Sequence, residues 1–319
     1  MSTAVLIDLV VGEPLPGPDA PVQPVSLAEA EAVAALAQRA GVAALRLVDG
    51  TPGVRTIDPS VVGAYLAGRH GDLGYLVDVP TTHNAPYNLA RRVLSFDRAT
   101  SGRVGVVLRA GRGDEVSAAT VPDPAADDPA GRWTEYARIL TRLWESFPRD
   151  ALIGDQERAL VVDDRLIRPI AHDGRFYRVA GPLDGPSSVQ GRPVLVAADL
   201  DVLGWSALAD SADAVVVSQE QSDGADLLLT AALEQVGRDR ADVALIGRAP
   251  ASFTELATWV ADTRLDAVEL VPTAGVEEIA DLLRDLVTPS PVTPSPVTPA
   301  PVTTLRAALG LREIAEVLA

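Results

Sequence analysis

Two carboxylates close the segment GRPVLVAADLD, residues 191–201, in which an apolar run ends in Asp199 and Asp201. In an α/β barrel, the C-terminal end of a strand is where substrate or cofactor is met. Two basic residues, Arg109 and Arg112, stand at and just after the end of another apolar run, 103–109. Across a barrel mouth they would pair with Asp199 and Asp201 as an internal salt-bridge plug; left unpaired, they would bind some other anion. His83, in the stretch Thr81-Thr82-His83, is the best general acid or base candidate, because imidazole titrates near neutral pH. A solvated loop histidine is the competing reading. Asp49, after the run 43–48, reads first as a turn or cap residue.

Much other chemistry is excluded by composition. The 319 residues include no cysteine, so disulfides, thiolate metal sites and cysteine nucleophiles are absent. All 27 basic residues are arginine, which removes a Schiff-base lysine and a phosphate-loop lysine. The three histidines, 70, 83 and 172, form no ligand pair on one helix turn. Asp163, Asp164 and His172 flank a turn without ligand spacing, and no metal is expected there. Glu135 and Glu145 are expected on the exposed face of a helix. A net charge of −17 disfavours nucleic acid and anionic membrane, and no run reaches the ~18 apolar residues of a membrane span. A cytoplasmic protein is expected.

These residues must be held by alternating elements. Short Val/Leu/Ile runs at 4–11, 43–48, 73–79, 103–109, 194–198, 213–217, 242–246 and 266–271 read as strands. Helical stretches lie between them at 27–40, 59–69, 87–97, 132–147, 202–211, 225–236, 253–263 and 276–286. In the fourth, Tyr136, Ile139, Leu140, Leu143, Trp144 and Phe147 share one face. Eight strand–helix units are the count that closes a (β/α)8 TIM barrel. A doubly wound open sheet is the alternative, disfavoured because no GxGxxG follows the first strand. A β-hairpin insertion is expected at 160–179, between the fourth helix and the fifth strand. The organisation expected is a barrel over 1–286, an extended Pro/Thr spacer over 287–304 and a helical tail over 305–319.

Several segments resemble the luciferase-like flavin-dependent monooxygenases, above all the branch acting on nitrilotriacetate and dibenzothiophene sulfone. They are PYNLARRVLSFDRATSGR (86–103), LWES (143–146), HDGRFYRVAGPL (172–183), QGRPVLV (190–196) and TLRAALGL (304–311). The resemblance implies a luciferase-like barrel, reduced FMN from a separate flavin reductase, molecular oxygen, and a dimer. It also places Asp49, Thr81 and Thr82 near the flavin of relatives. Within the family the short chain is most similar to small subunits of the pristinamycin synthase type, which pair with a larger flavin-binding homologue.

The departures from the family pattern concern the cofactor. Val107 and Ala110 stand where the family's Asn and Thr hold the flavin ring, and Asp199 and Asp201 replace the turn that receives its phosphate. At ~4 Å and an effective dielectric of about 20, each like-charge contact costs on the order of 4 kcal/mol. Micromolar affinity is only about 8 kcal/mol. Two expectations follow. In one, this chain binds no cofactor tightly and is the non-catalytic subunit of a heterodimer with a larger flavin-binding homologue. In the other, it is itself an FMNH2-dependent monooxygenase, alone or as a homodimer, acting on a small organic, secondary-metabolite substrate with His83 as proton donor. If Arg109 and Arg112 form the plug with Asp199 and Asp201, Asp199→Gly with Asp201→Ser should restore some flavin affinity.

Overall fold

The computed structural model describes residues 3–17, 20–111, 128–287 and 304–314. Eight parallel strands close a barrel: β1 Ala4–Leu9, β2 Ala44–Leu47, β3 Gly74–Pro80, β4 Val104–Arg109, β5 Val194–Ala197, β6 Ala214–Ser218, β7 Ala244–Pro250 and β8 Ala267–Val271. Neighbours in sequence are neighbours in the barrel, and β8 returns to β1 with Ala4 opposite Ala267. Outside lie α1 Leu27–Ala40, α2 Pro59–Ala67, α3 Pro86–Ala99, α4 Pro129–Glu145, α5 Leu200–Ser211, α6 Ala225–Gln235, α7 Leu256–Thr263 and α8 Val276–Val287. Their starts follow from local chemistry. Ser26 and Glu29 form a capping box on α1, and the Asp58 and Asp128 carboxylates accept amide hydrogens at the starts of α2 and α4.

Side chains alternate faces along each strand. Val5, Ile7 and Leu9 of β1 point outward into the core shared with the helices, as do Leu45 and Leu47 of β2. Leu6, Ala44, Leu76, Val107, Val196, Val216, Ile246 and Ala267 point inward and fill the barrel's lower half. A short helix, α9 Leu305–Ala308, seats on the N-terminal end, where Leu305, Leu309 and Leu311 join that inner core and the Leu305 amide donates to the Gly102 carbonyl at 2.8 Å. The described part of the tail therefore closes the barrel floor. Nearly all of the expected spacer lies outside the described residues.

One expected element differs. In place of a single hairpin over 160–179 there are two short ribbons between α4 and β5. Leu160–Val162 pairs backward with Leu152–Asp155, and His172–Asp173 pairs with Arg178–Val179. The His-Asp-Gly turn belongs to the second ribbon alone, because Asp163–Leu166 interrupts the extended chain with a turn of 3-10 helix capped by Asp163. No helix is long and apolar enough to cross a membrane among the described residues.

Candidate functional site

The next inward position on each strand follows from the same alternation. Two residues beyond Leu6, Ala44, Leu76, Val107, Ile246 and Ala267 come Asp8, Arg46, Asp78, Arg109, Arg248 and Glu269. The pairing register sets Asp8 beside Arg46 and Arg248 beside Glu269. The strands thus deliver a ring of charge to the upper interior of the barrel, directly above an apolar layer.

The ring is connected as an alternating ladder that begins at Asp199. Arg109 Nε donates to both Asp199 oxygens at 3.0 and 3.1 Å, and its Nη1 donates to Asp78 Oδ2 at 3.1 Å. Arg46 lies between Asp78 Oδ1, at 2.9 Å from Nη2, and Glu269 Oε1, at 2.8 Å from Nη1. Arg248 donates from Nε to the same Glu269 oxygen and from Nη2 to Asp8 Oδ2, both at 2.6 Å. Asp8, Arg46, Asp78 and Glu269 are buried, whereas Arg109 and Arg248 form the more exposed rim.

Burial opposes the charge of Arg46, but Asp78, Glu269 and Asp8 outweigh it and its pKa is raised. Arg109 and Arg248 are raised as well, since their carboxylates overcome desolvation. Asp8 moves the other way from an ordinary carboxylate: burial, and then the charge of Glu269, push it up to about 7. Two of the ladder's oxygens, Asp8 Oδ1 and Glu269 Oε2, are buried without a hydrogen-bond partner. Each guanidinium in the ladder is committed to carboxylates on two sides, so its charges cancel largely within the barrel.

Helix α4 steadies the β4 end of this ladder. Trp133 Nε1 donates to the Leu108 carbonyl at 2.8 Å, and buried Arg132 donates from Nη2 to the Gly111 carbonyl. Across the mouth, the Asp199 carboxylate does not cap α5. It accepts from the Ala110 amide at 2.7 Å, and α5 itself is broken at Gly204, where φ is 68° and ψ 160°. The N-terminal end of α5 is therefore about one turn of helix, a weak dipole for holding an anion.

The residues singled out in the sequence divide accordingly. Arg109 and Asp199 are brought together. Asp201 is not part of the ladder: it is exposed and accepts from Gln221 Nε2 at 2.6 Å, because it lies on the first turn of α5, past the strand end. Arg112 lies outside the described residues. Thr81 and Thr82 are buried at the mouth, with Thr81 Oγ1 accepting from the Gly111 amide at 2.9 Å. Asp49 holds its own turn, accepting from the Gly50 amide and Thr56 Oγ1. His83 is exposed on the β3–α3 loop, with φ at 61°. Val107 is fully buried in the inner core, and Ala110 supplies only its backbone amide.

Glu135, expected at the surface, is instead mostly buried. It accepts from the Phe176 and Tyr177 amides and contacts His172 Nε2 at 3.0 Å, tying the second ribbon to α4. Glu145 is exposed, as expected, with Arg192 approaching at 3.3 Å. No group of three or more His, Asp or Glu side chains suited to a metal ion occurs among the described residues.

The residues missed are Asp8, Arg46, Asp78, Arg248 and Glu269. Their signal was present as one charge interrupting each apolar strand: LIDLV, ALRLV, YLVDV, LIGRA and AVELV.

Comparison with known proteins agrees with this architecture. Residues 10–289 match the family model described as luciferase-like monooxygenase. Nitrilotriacetate monooxygenase component A of Aminobacter aminovorans is 30% identical over 168 residues, which is 52% of this chain and 37% of that protein. One of the subunits of pristinamycin IIA synthase from Streptomyces pristinaespiralis is 30% identical over 180 residues, 54% of this chain and 58% of that protein. The chain thus spans less than two thirds of either relative. Among solved structures, the EDTA monooxygenase EmoA of Chelativorans sp. BNC1 superposes with a TM-score of 0.77 at 20% identity, covering 98% of this chain and 99% of that one. That likeness is one of fold.

Proposed function

The chain belongs to the luciferase-like monooxygenase family, and we propose that within it the chain is a non-catalytic small subunit. It would pair with a larger, flavin-binding homologue in a two-component flavin-dependent monooxygenase that acts on a small organic substrate. A separate reductase would supply reduced FMN to the larger chain, and this chain would steady the assembly without holding the cofactor.

The ion-pair ladder carries this proposal. FMN belongs at the C-terminal mouth of such a barrel, where these residues do not fit it. A flavin ring seated at this mouth would meet the exposed rim of the ladder, Arg109, Arg248 and Asp199, each already committed to a partner of opposite charge. Drawing Arg109 or Arg248 toward a ligand would leave buried Asp78 or Asp8 short of a partner; loss of one partner from a buried pair costs about 3–5 kcal/mol, a large part of the ~8 kcal/mol in a micromolar affinity. The phosphate, carrying close to two negative charges, would meet Asp199 where a hydroxyl or amide donor is needed. Support of a different kind comes from the pristinamycin IIA synthase relative, whose designation as a subunit implies a partner chain for that protein.

Co-expression with a larger flavin-binding family member tests the pairing. The expected outcome is a heterodimer on size-exclusion chromatography, with FMN bound only to the larger chain, and substrate oxidation that falls when this chain is omitted. Reductase-dependent oxidation by this chain alone would favour the other reading, an active FMNH2-dependent monooxygenase, for which family membership is the support.

A further inference from the structure

The ladder holds four carboxylates, Asp8, Asp78, Asp199 and Glu269, against three guanidinium groups, Arg46, Arg109 and Arg248. The alternation ends in a carboxylate on both sides, but Asp199 also accepts the Ala110 amide, whereas the Asp8 end is buried and has no such second donor. There Arg248 is the one guanidinium paired with Asp8, through Oδ2, and it is also drawn to Glu269 Oε1, an oxygen it shares with Arg46. The other oxygens of the same two carboxylates, Asp8 Oδ1 and Glu269 Oε2, are the buried ones that accept nothing. Asp8 and Glu269 are 4% and 0% exposed, so water cannot relieve them. A buried carboxylate oxygen without a donor is destabilising unless a donor reaches it or the charge is removed.

We propose that Asp8 keeps a proton beside Glu269 at mildly acidic pH and releases it as pH rises through neutrality, and that this proton makes the barrel a pH-sensitive element, tightly closed on its β7–β8–β1 side when protonated and loosened when the proton leaves. The proton removes the uncompensated charge and turns one carboxyl into a donor. The charged groups facing Asp8 are Arg46 on β2, Glu269 on β8 and Arg248 on β7. Further along the ladder come Asp78 on β3, Arg109 on β4 and Asp199 after β5. Burial and Glu269 favour the neutral form of Asp8 and outweigh Arg46 and Arg248, which favour the ionised one. The proposal holds whether or not flavin binds this chain, and its test uses no cofactor.

The sign is fixed by linkage. A carboxyl whose folded pKa is raised binds its proton more tightly in the folded state, so stability is full below its unfolded value near 4. It falls as pH rises from there to about 7 and levels off above that. The test is infrared spectroscopy of the full chain, following the carbonyl stretch of a neutral carboxylic acid between about pH 6 and pH 9, in wild type and Asp8→Asn. Urea unfolding is run in parallel. Asp97, pushed up to about 6 by burial, also titrates, so the assignment rests on the wild-type minus Asp8→Asn difference.

The expected result is a neutral-acid band in that difference near pH 6 that is lost by pH 9. Between about pH 5 and 6, the folding constant of wild type should fall close to tenfold per pH unit relative to Asp8→Asn, and less steeply as pH approaches 7. If Asp8→Asn does not fold, Glu269→Gln replaces it: removing the like charge should lower the midpoint of the wild-type band. A missing band at pH 6, or a band unchanged in the variant that folds, overturns the proposal. So does a stability ratio indifferent to pH.

Discussion

Arg46→Met is the sharpest perturbation of the ladder. Methionine keeps an unbranched stem of similar reach but removes the guanidinium that separates Asp78 from Glu269, at 2.9 and 2.8 Å. The three side chains are 3%, 2% and 0% exposed, so water cannot replace the lost partner. Each carboxylate keeps one other guanidinium, Arg109 or Arg248, and is not fully stranded. Breaking a buried pair by removing one member costs about 3–5 kcal/mol, a large share of the ~5–15 kcal/mol that holds a typical domain together. Urea unfolding at pH 7 should therefore show a markedly lower midpoint at unchanged slope. Adding Asp78→Asn and Glu269→Gln to Arg46→Met should recover most of that loss, because the penalty lies in unpaired charge and not in missing volume. A loss below ~1 kcal/mol, or no recovery in the triple variant, would refute the view that the barrel's upper half is set by these ion pairs.

Glu135→Gln weakens the acceptor for the Phe176 and Tyr177 amides, so those two amides should exchange hydrogen faster by mass spectrometry or NMR while the barrel amides do not. Burial raises the Glu135 pKa, but His172 and these amides outweigh it and hold it below its ordinary value, so its stabilising share is present above about pH 4.5 and is lost as pH falls through the depressed value; denaturation on the acid side should be shallower in the variant. Leu305→Ala opens the barrel floor and should cost about 2–5 kcal/mol in thermal or chemical unfolding. Asp199→Gly with Asp201→Ser removes one end of the ladder but leaves Arg46, Asp78, Arg248 and Glu269 in place. This pair should not restore FMN binding in a fluorescence titration, contrary to the expectation from the sequence alone; micromolar binding would locate the whole barrier beyond β5.

The barrel was legible because its strands and helices alternate without ambiguity. Val/Leu/Ile runs of strand length separated by amphipathic stretches leave few other architectures, and the family resemblance in 86–103 and 172–196 agreed with it. The contact between Arg109 and Asp199 was legible too, since both residues stand at strand ends where side chains converge. Arg46 and Glu269 were not. A lone charge inside an apolar run reads as a strand near solvent, and they are 223 positions apart in sequence yet 2.8 Å apart in the barrel. Only closure of the sheet, with β8 returning to β1, turns separate interruptions into one ring. Glu135 was misplaced for a similar reason: on a helical wheel it faces away from the barrel, but the ribbon 172–179 folds back over that face.

The most direct measurement of the central claim is a titration of the purified chain with oxidised FMN and, anaerobically, with reduced FMN, followed by fluorescence and heat. With the ladder intact, neither form should bind at micromolar concentration. Saturable binding of one FMN per chain in that range would contradict the account and make this chain a flavin-carrying oxygenase in its own right.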